Sequence, residues 1–405
     1  MKPGWQVRTL AQVCQLRPPK AEGIATLRPR DPVSFLPMEK LGIDQKFVRT
    51  EQNRPLAEVA GSYTYFAEND VLLAKITPCF ENGKLGIVNR LTNGVGFGSS
   101  EYIVFRPNSD LNREWLYYFL SRQDFRDEGA KQMCGAVGHK RVSAEFIANC
   151  LIPVPPLPEQ QRIVRTLDEA FASIATAKVN AEKNLQNARE LFDSCIASLF
   201  PNQQGVFNQD RPLSAFCNLI VDCEHSTAPV REEGIPLIRT PNVGKGTLLL
   251  DGVYKVSNET YVKWSRRAEP KPGDLILARE APAGNVAVIP PDLKVCLGQR
   301  TVLIRPKPEV FDSFYLAMFL LRSDTQQRLL AHSRGATVQH VNMKDIRALT
   351  IGRVPPIEVQ RDISSMISAL SVQNDRMCTN IQQKGIHLDM LKQSMLRKAF
   401  AGALG

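Results

Sequence analysis

The chain of 405 residues lacks most of the features that classify a protein at a glance. Its nine cysteines are odd in number, scattered, and form no Cys-x-x-Cys pair, which gives neither a disulfide framework nor a zinc site. No eighteen apolar residues follow one another, so no membrane-spanning helix is expected, and Met1 to Trp5 is followed by no apolar run of the kind an export signal needs. The expected compartment is the reducing cytoplasm. There is no Gly-x-x-x-x-Gly-Lys-Ser/Thr loop to cradle a nucleotide and no Asn-Pro-Pro-Phe/Tyr motif for methyl transfer to an amino group. These absences predict a chain with no cofactor, no metal and no catalysis of its own. Acidic residues are also in deficit, 41 against 51 Lys and Arg, and the formal charge of +10 favours a polyanionic partner.

What the chain does have is a copy of itself. Setting residue i over residue i+200 from Leu116 to Phe200 gives 17 identities in 85 pairs, where chance gives roughly five. The pairs include Phe119/Phe319, Arg122/Arg322, Gly135/Gly335, Pro155/Pro355, Pro156/Pro356, Gln160/Gln360 and Phe200/Phe400. Upstream, Asn69 to Lys75 lies over Gly273 to Arg279, and Arg8, Leu10 and Cys14 lie over Arg211, Leu213 and Cys217. Ile24 to Glu58 and His225 to Lys263 show no correspondence. Two units therefore share a frame and differ in their inserts.

In each unit the pattern changes at the diproline. Before it, runs rich in β-branched and aromatic residues, Asp70 to Ile76, Glu101 to Phe105, Asp274 to Leu277 and Gln299 to Ile304, alternate with Gly, Pro and Asn and read as strands. One shorter helix is expected in each unit, about Asn112 to Arg126 and Asp312 to Leu330. After Pro-Pro-Leu-Pro no proline occurs until Pro201, and none follows Pro356, which allows two helices of roughly 60 Å each. Their apolar residues recur at spacings of four and three. The expected seam contains Ile163, Leu167, Ile174 and Leu191 on the first helix, and Ile363, Ile367, Leu370, Met377, Ile381, Leu388 and Leu391 on the second. The first seam is Ala-rich and the second carries larger side chains, which favours pairing within one chain. Asn184, Asn374 and Lys384 are the polar interruptions expected to set register. The helices must then run antiparallel, because the first leads from unit one to unit two and the second leaves unit two. The fold expected is mixed α/β, two repeated domains joined by a long antiparallel coiled coil. Two related domains with different inserts on a basic chain suit a duplex whose halves differ in sequence.

At several points the residues resemble a known family, the specificity subunits of type I restriction-modification systems. The segments that carry the resemblance are Gly4 to Leu10, Pro272 to Arg279, the helix start Ile152 to Ile163 with its Pro-Pro-Leu-Pro-Glu-Gln-Gln-Arg, and Leu391 to Gly402. The second helix start departs from the pattern, reading Pro355-Pro356-Ile357-Glu358-Val359-Gln360-Arg361. The resemblance implies target-recognition domains at 1–156 and 201–356, with spacer helices at 157–200 and 357–405. It implies a non-catalytic subunit that binds a bipartite, asymmetric double-stranded DNA target and docks two adenine methyltransferase subunits, and through them an endonuclease/translocase subunit. A scaffold that holds two partner proteins without DNA is the competing expectation.

Candidate contacts to DNA come from basic and amide residues in loops. These are Lys75 and Lys84, then His139, Lys140 and Arg141 in the first unit, and His225, Ser226, Thr227, Lys245, Arg279, Arg334, Gln339 and His340 in the second. Lys75 and Arg279 end matched strands and suggest a shared phosphate contact. On the helices, Glu159, Arg162, Arg165, Glu169, Arg361 and Lys398 are candidates for touching partner subunits. Asp274 followed by Asp292-Leu293-Lys294 imitates the spacing of a metal-dependent nuclease. The first unit does not repeat it, and Pro290-Pro291 before Asp292 favours a turn, so the expectation is that Asp70 and Asp274 simply start strands.

Overall fold

The computed structural model describes residues 4–136, 138–200, 211–331 and 340–404. Contacts divide the chain into two units, residues 1–183 with 381–405, and residues 184–380. The long helices, Leu157–Leu199 and Ile357–Phe400, pass from one unit to the other. Each unit thus contains the start of one long helix and the end of the other.

The frame of each unit is an antiparallel sheet. In the first, the order is Cys14–Leu16, Tyr102–Pro107, Val71–Ala74, Leu85–Asn89, with Phe47–Arg49 added in parallel at the edge. The second has Cys217–Asp222, Thr301–Pro306, Leu275–Ala278 and Val286–Val288 in the same order. The predicted strands are therefore present, with ends shifted by one or two residues. The inserts differ as expected. The first unit carries a further four-stranded sheet, Gln52–Pro55, Pro32–Leu36, Val95–Gly98 and Thr64–Ala67, and the second a three-stranded one, Lys255–Val256, Ile235–Ile238 and Cys296–Leu297.

Asp70 and Asp274 sit at the start of the central strands, and both are almost fully buried. Arg106 grips Asp70 through Nε and Nη2 at 2.9 and 2.8 Å, and Arg305 grips Asp274 in the same way at 2.7 and 2.6 Å. Each carboxylate also accepts a backbone amide three residues upstream, from Ala67 and Lys271. A bidentate, doubly satisfied carboxylate is a structural pin. Asp292 lies in an exposed turn, and no cluster of metal-binding side chains occurs among the described residues.

Where one helix was expected after the sheet, there are two in each unit. Arg113–Leu120 is followed by Gln123–Lys131, and Ser313–Leu320 by Ser323–Leu330. The break falls at the repeated arginine, whose backbone is extended (Arg122 ψ 140°, Arg322 ψ 144°). The cause is a tertiary contact. Arg122 lies over the rings of Phe119 and Phe400, and Arg322 over Phe319 and Phe200. The final aromatic of one long helix thereby closes the core of the unit where the other begins, with Phe400 4.1 Å from Trp115 and Phe200 5.1 Å from Tyr315 between ring centroids.

Each long helix is pinned at its start by a fully buried glutamine. Gln160 accepts from the Asn112 amide at 2.8 Å and donates to the carbonyls of Asp110 and Pro155 at 2.9 and 2.8 Å. Gln360 does the same with Asp312 at 3.0 Å and with Val310 and Pro355, both at 2.8 Å. Its amide joins three backbone groups, among them the N-cap residue, Asn112 or Asp312, of the earlier helix Arg113–Leu120 or Ser313–Leu320.

The long helices pack together antiparallel, and burial along them departs from the expected seam at Asn184, Leu191, Met377, Lys384 and Leu391. Ile163, Leu167, Ile174, Ile363 and Ile367 are buried and Leu370, Ile381 and Leu388 are half-buried. Leu191 (62% exposed), Met377 (42%) and Leu391 (48%) face outward instead, as do Asn184 and Lys384. Leu185, Phe192, Cys378, Gly385 and Lys392 take the inner places. Both choices keep a four-three alternation around Ala181, Ala188 and Ile381, so spacing alone cannot separate them. The deciding contact is with the domains, since Phe192 and Ile196 pack into the second unit's core and Met395 and Leu396 into the first's. Lys178 pairs with Asp389 at 2.8 Å across the seam.

Two outcomes follow for stability. Gln160→Ala removes three hydrogen bonds to the backbone and should cost about 3 kcal/mol, seen as a lowered urea midpoint. Phe192→Ala should cost about 2 kcal/mol while Leu191→Ala stays within about 0.5 kcal/mol, the reverse of what the sequence spacing alone implies.

Candidate nucleic-acid interface

The same backbone node occurs in both units, and most of the loop candidates gather around it. In the first unit the amide of Lys75 donates to the Glu101 carbonyl, and the Val142 amide to that of Lys75, both at 2.9 Å. In the second, Arg279 donates to Arg300 at 2.8 Å and Val341 to Arg279 at 2.9 Å. The end of a central strand is thus tied in each unit to the turn before the neighbouring strand and to the loop before a short helix, Ala144–Asn149 or Met343–Ala348. This sets Lys75 over Arg279, Glu101 over Arg300 and Arg141 over His340. The loop is one residue shorter in the second unit, so the offset here is 199 where the flanking sequence gives 200.

The side chains on this node differ. In the first unit Lys75 Nζ donates to the Ser100 carbonyl at 2.8 Å and lies 3.9 Å from Glu101. Glu101 holds Arg141 through two bonds of 2.9 and 2.8 Å. Burial pushes the Lys75 ammonium below its ordinary pKa, with Glu101 acting against it, whereas the bonds from Arg141 hold the Glu101 carboxyl below the usual carboxylate range. Arg141 also donates to the His139 carbonyl, and the Lys140 carbonyl accepts the Thr77 amide. The backbone of 139–141 is therefore fixed while the side chains of His139, Lys140 and Arg141 remain exposed.

In the second unit Arg279 spends all three guanidinium nitrogens on protein. Nε donates to the Val341 carbonyl at 2.9 Å, Nη1 to Asp222 at 2.6 Å and Nη2 to His340 Nε2 at 2.8 Å. His340 Nδ1 faces Glu280 at 3.0 Å, which also pairs with Arg300. His225 is exposed and lies 3.4 Å from Asp222, and its carbonyl accepts from Gln299 at 2.8 Å. Ser226 and Thr227 are exposed beside it.

Lys75 and Arg279 do correspond, but the structure gives both an inward, loop-tying role; a phosphate contact by either would require breaking these bonds. Lys84 likewise donates to the Met38 carbonyl at 2.8 Å. Lys245 is exposed and lines a cleft beside the long helices, where none of the node residues is found. Arg334 and Gln339 lie outside the described residues. The sequence reading missed Glu101, Asp222, Glu280, Arg17 and Arg300. A carboxylate facing two basic loops is not visible before those loops meet. Arg17 and Arg300 are non-glycine residues with positive φ (52° and 64°), and Arg17 adds positive potential at Lys75.

The repeated frame, the two inserts and the helix pair match a known family. Residues 2–186 and 232–384 fit the family model described as type I restriction modification DNA specificity domain. The chain belongs to this family. Among relatives, the specificity subunits of the type I restriction enzymes EcoAI and EcoEI from Escherichia coli are each 32% identical over 201 residues, covering 49% of this chain and 33% of theirs. The chain thus spans about a third of the length of these two relatives. The EcoBI specificity subunit, also from Escherichia coli, is 22% identical over 296 residues, 65% of this chain and 60% of that one. Two solved structures share the fold. One comes from a study of assembly and conformational transition in the type I R-M system (TM-score 0.79, 20% identity, 100% and 99% covered), and the other is the HsdS subunit from Thermoanaerobacter tengcongensis (TM-score 0.65, 20% identity, 100% and 98% covered). Among the described residues of this specificity-domain protein, no helix is long and apolar enough to cross a membrane.

The node makes a direct prediction. Arg279→Lys keeps the charge but loses at least two of the three bonds, and should cost about 1–3 kcal/mol, with faster hydrogen exchange at the Val341 amide.

Proposed function

We propose that this chain is the non-catalytic DNA-specificity subunit of a type I restriction-modification complex. Residues 1–156 and 201–356 act as target-recognition domains and 157–200 and 357–405 as the spacer that sets the distance between two half-sites. The observation that carries this reading is the repeated node with different side chains. In the first unit a fixed backbone presents His139, Lys140 and Arg141, and in the second His225, Ser226 and Thr227 are exposed on a different loop, held where Gln299 donates to the His225 carbonyl. Exposed basic, hydroxyl and imidazole groups on a braced loop suit contacts to base edges and phosphates, and two different sets suit two different half-sites. The net charge of +10 supports a polyanionic ligand.

The long helices carry the docking role. Leu191, Met377 and Leu391, turned out of the seam, and Val179 (63% exposed) and Met390 (63%) leave apolar side chains on their outer faces. Arg165, Glu169 and Lys398 are exposed there, whereas Arg162 is held by Glu159 at 2.8 Å and Arg361 by Glu358 at 3.0 Å. Two adenine methyltransferase subunits would sit on this surface and bring the endonuclease/translocase subunit with them, in the cytoplasm where the DNA is.

The deciding experiment is modified-base sequencing of genomic DNA from the host and from a strain lacking this gene alone. Loss of methyl-adenine at one interrupted, asymmetric motif is the expected result. An unchanged methylation pattern in a host whose methyltransferase is expressed would refute it. In binding assays with the methylated motif identified in this way, Lys140→Ala should weaken binding across all sequences and lower the log–log salt slope by about one.

A further inference from the structure

The two units are not equally filled where the long helices meet the domain. In the first unit Lys46 enters this corner and its ammonium contacts Glu114 and, at 2.5 Å, Asp168. It lies 5.2 Å from the ring centroid of Tyr118. Phe171 packs edge-on to Tyr118 at 5.4 Å, and Lys392 covers Phe171 at 5.5 Å. A basic side chain and an aromatic ring close the space.

The second unit has the same backbone with those groups removed. The carbonyl of Lys46 accepts the Ile87 amide, and that of Gly246 accepts Val288, so Gly246 stands where Lys46 stands. At the repeat offset, Ser371 replaces Phe171, Phe314 replaces Glu114 and Met318 replaces Tyr118. A cleft of about 770 Å³ results, floored by Phe192, Ile196, Phe314, Met318 and Ile367. Asp193 and Asp375 stand on its rim where the first unit has Gln393 and Ala175, and neither has an ion-pair partner among the described residues. The other rim charges are Lys245 and the pair Arg322–Asp324, joined at 3.0 Å.

We propose that this cleft is a protein-docking pocket, and that it takes a lysine or arginine side chain together with an adjacent aromatic or aliphatic residue from a partner protein. The first unit shows the chemistry that fits, since it fills its own corner with Lys46 and Phe171. The rim aspartates supply the negative charge that Glu114 and Asp168 supply there, and they disfavour a nucleic-acid occupant. Exposed Val372 (51%) lies one turn from Asp375 and extends the apolar surface outward. The choice of partner rests on the function proposed above: the methyltransferase subunit.

The test measures binding of the cognate methyltransferase subunit to the full chain by calorimetry. Ser371→Phe installs the first unit's own plug and should weaken binding at least tenfold, with the thermal midpoint and DNA binding of the chain kept. The double change Asp193→Gln and Asp375→Ala, again the first unit's residues, should weaken binding severalfold. A photo-crosslinking residue at Thr247, on the cleft wall, should capture a basic segment of the methyltransferase. Wild-type affinity in both variants would sink the pocket while leaving the specificity-subunit reading intact. A wild-type chain that does not bind the methyltransferase would overturn the docking role itself. Crosslinking only within the chain would show that the cleft is filled from inside, and the proposal would fail.

Discussion

Each domain holds its long helix through one buried side chain, used once in each unit. Gln160 and Gln360 each join the first turn of a long helix to the loop that starts an earlier helix of the domain. Because the glutamine amide offers both a donor and an acceptor in a fixed plane, it fixes direction as well as distance. A hydrophobic residue there could fill the volume but could not set the angle at which the helix leaves. The same three bonds therefore hold the first turn of each long helix at a set angle to its own domain.

Much of this was legible in the sequence, and the reasons are physical. The repeat was visible because the frame is under the same local constraints twice: the aspartate–arginine pins, the diprolines, the glutamine clamps and the closing phenylalanines. The long helices were visible because proline is missing from them. The helix break at Arg122 and Arg322 was not, since the phenylalanine that each arginine covers is 278 or 122 residues away in the chain. The outer half of the seam was misread for a related reason. Leu191 and Leu391 satisfy the spacing as well as Phe192 and Lys392 do, and only the domain packed at the helix end distinguishes them.

The candidate contacts divide by the same logic. Exposed loop residues such as His139 and Lys140 could be named from composition, because their side chains face outward. Lys75 and Arg279 look identical in kind from the sequence but are already committed, Arg279 to three acceptors at once. A strand end that braces two loops must spend its polar groups inward. The braced loops can then vary their outward side chains without losing shape.

The exchange of helix ends also has a consequence in time. Phe200 is available to the second unit before most of that unit has been made, so its core can close as its chain emerges. The first unit waits for Phe400, and until then Trp115 and Phe119 lack the ring that covers them. Of the two units, the one synthesised first is therefore the later to be completed, by a ring 285 residues beyond Trp115.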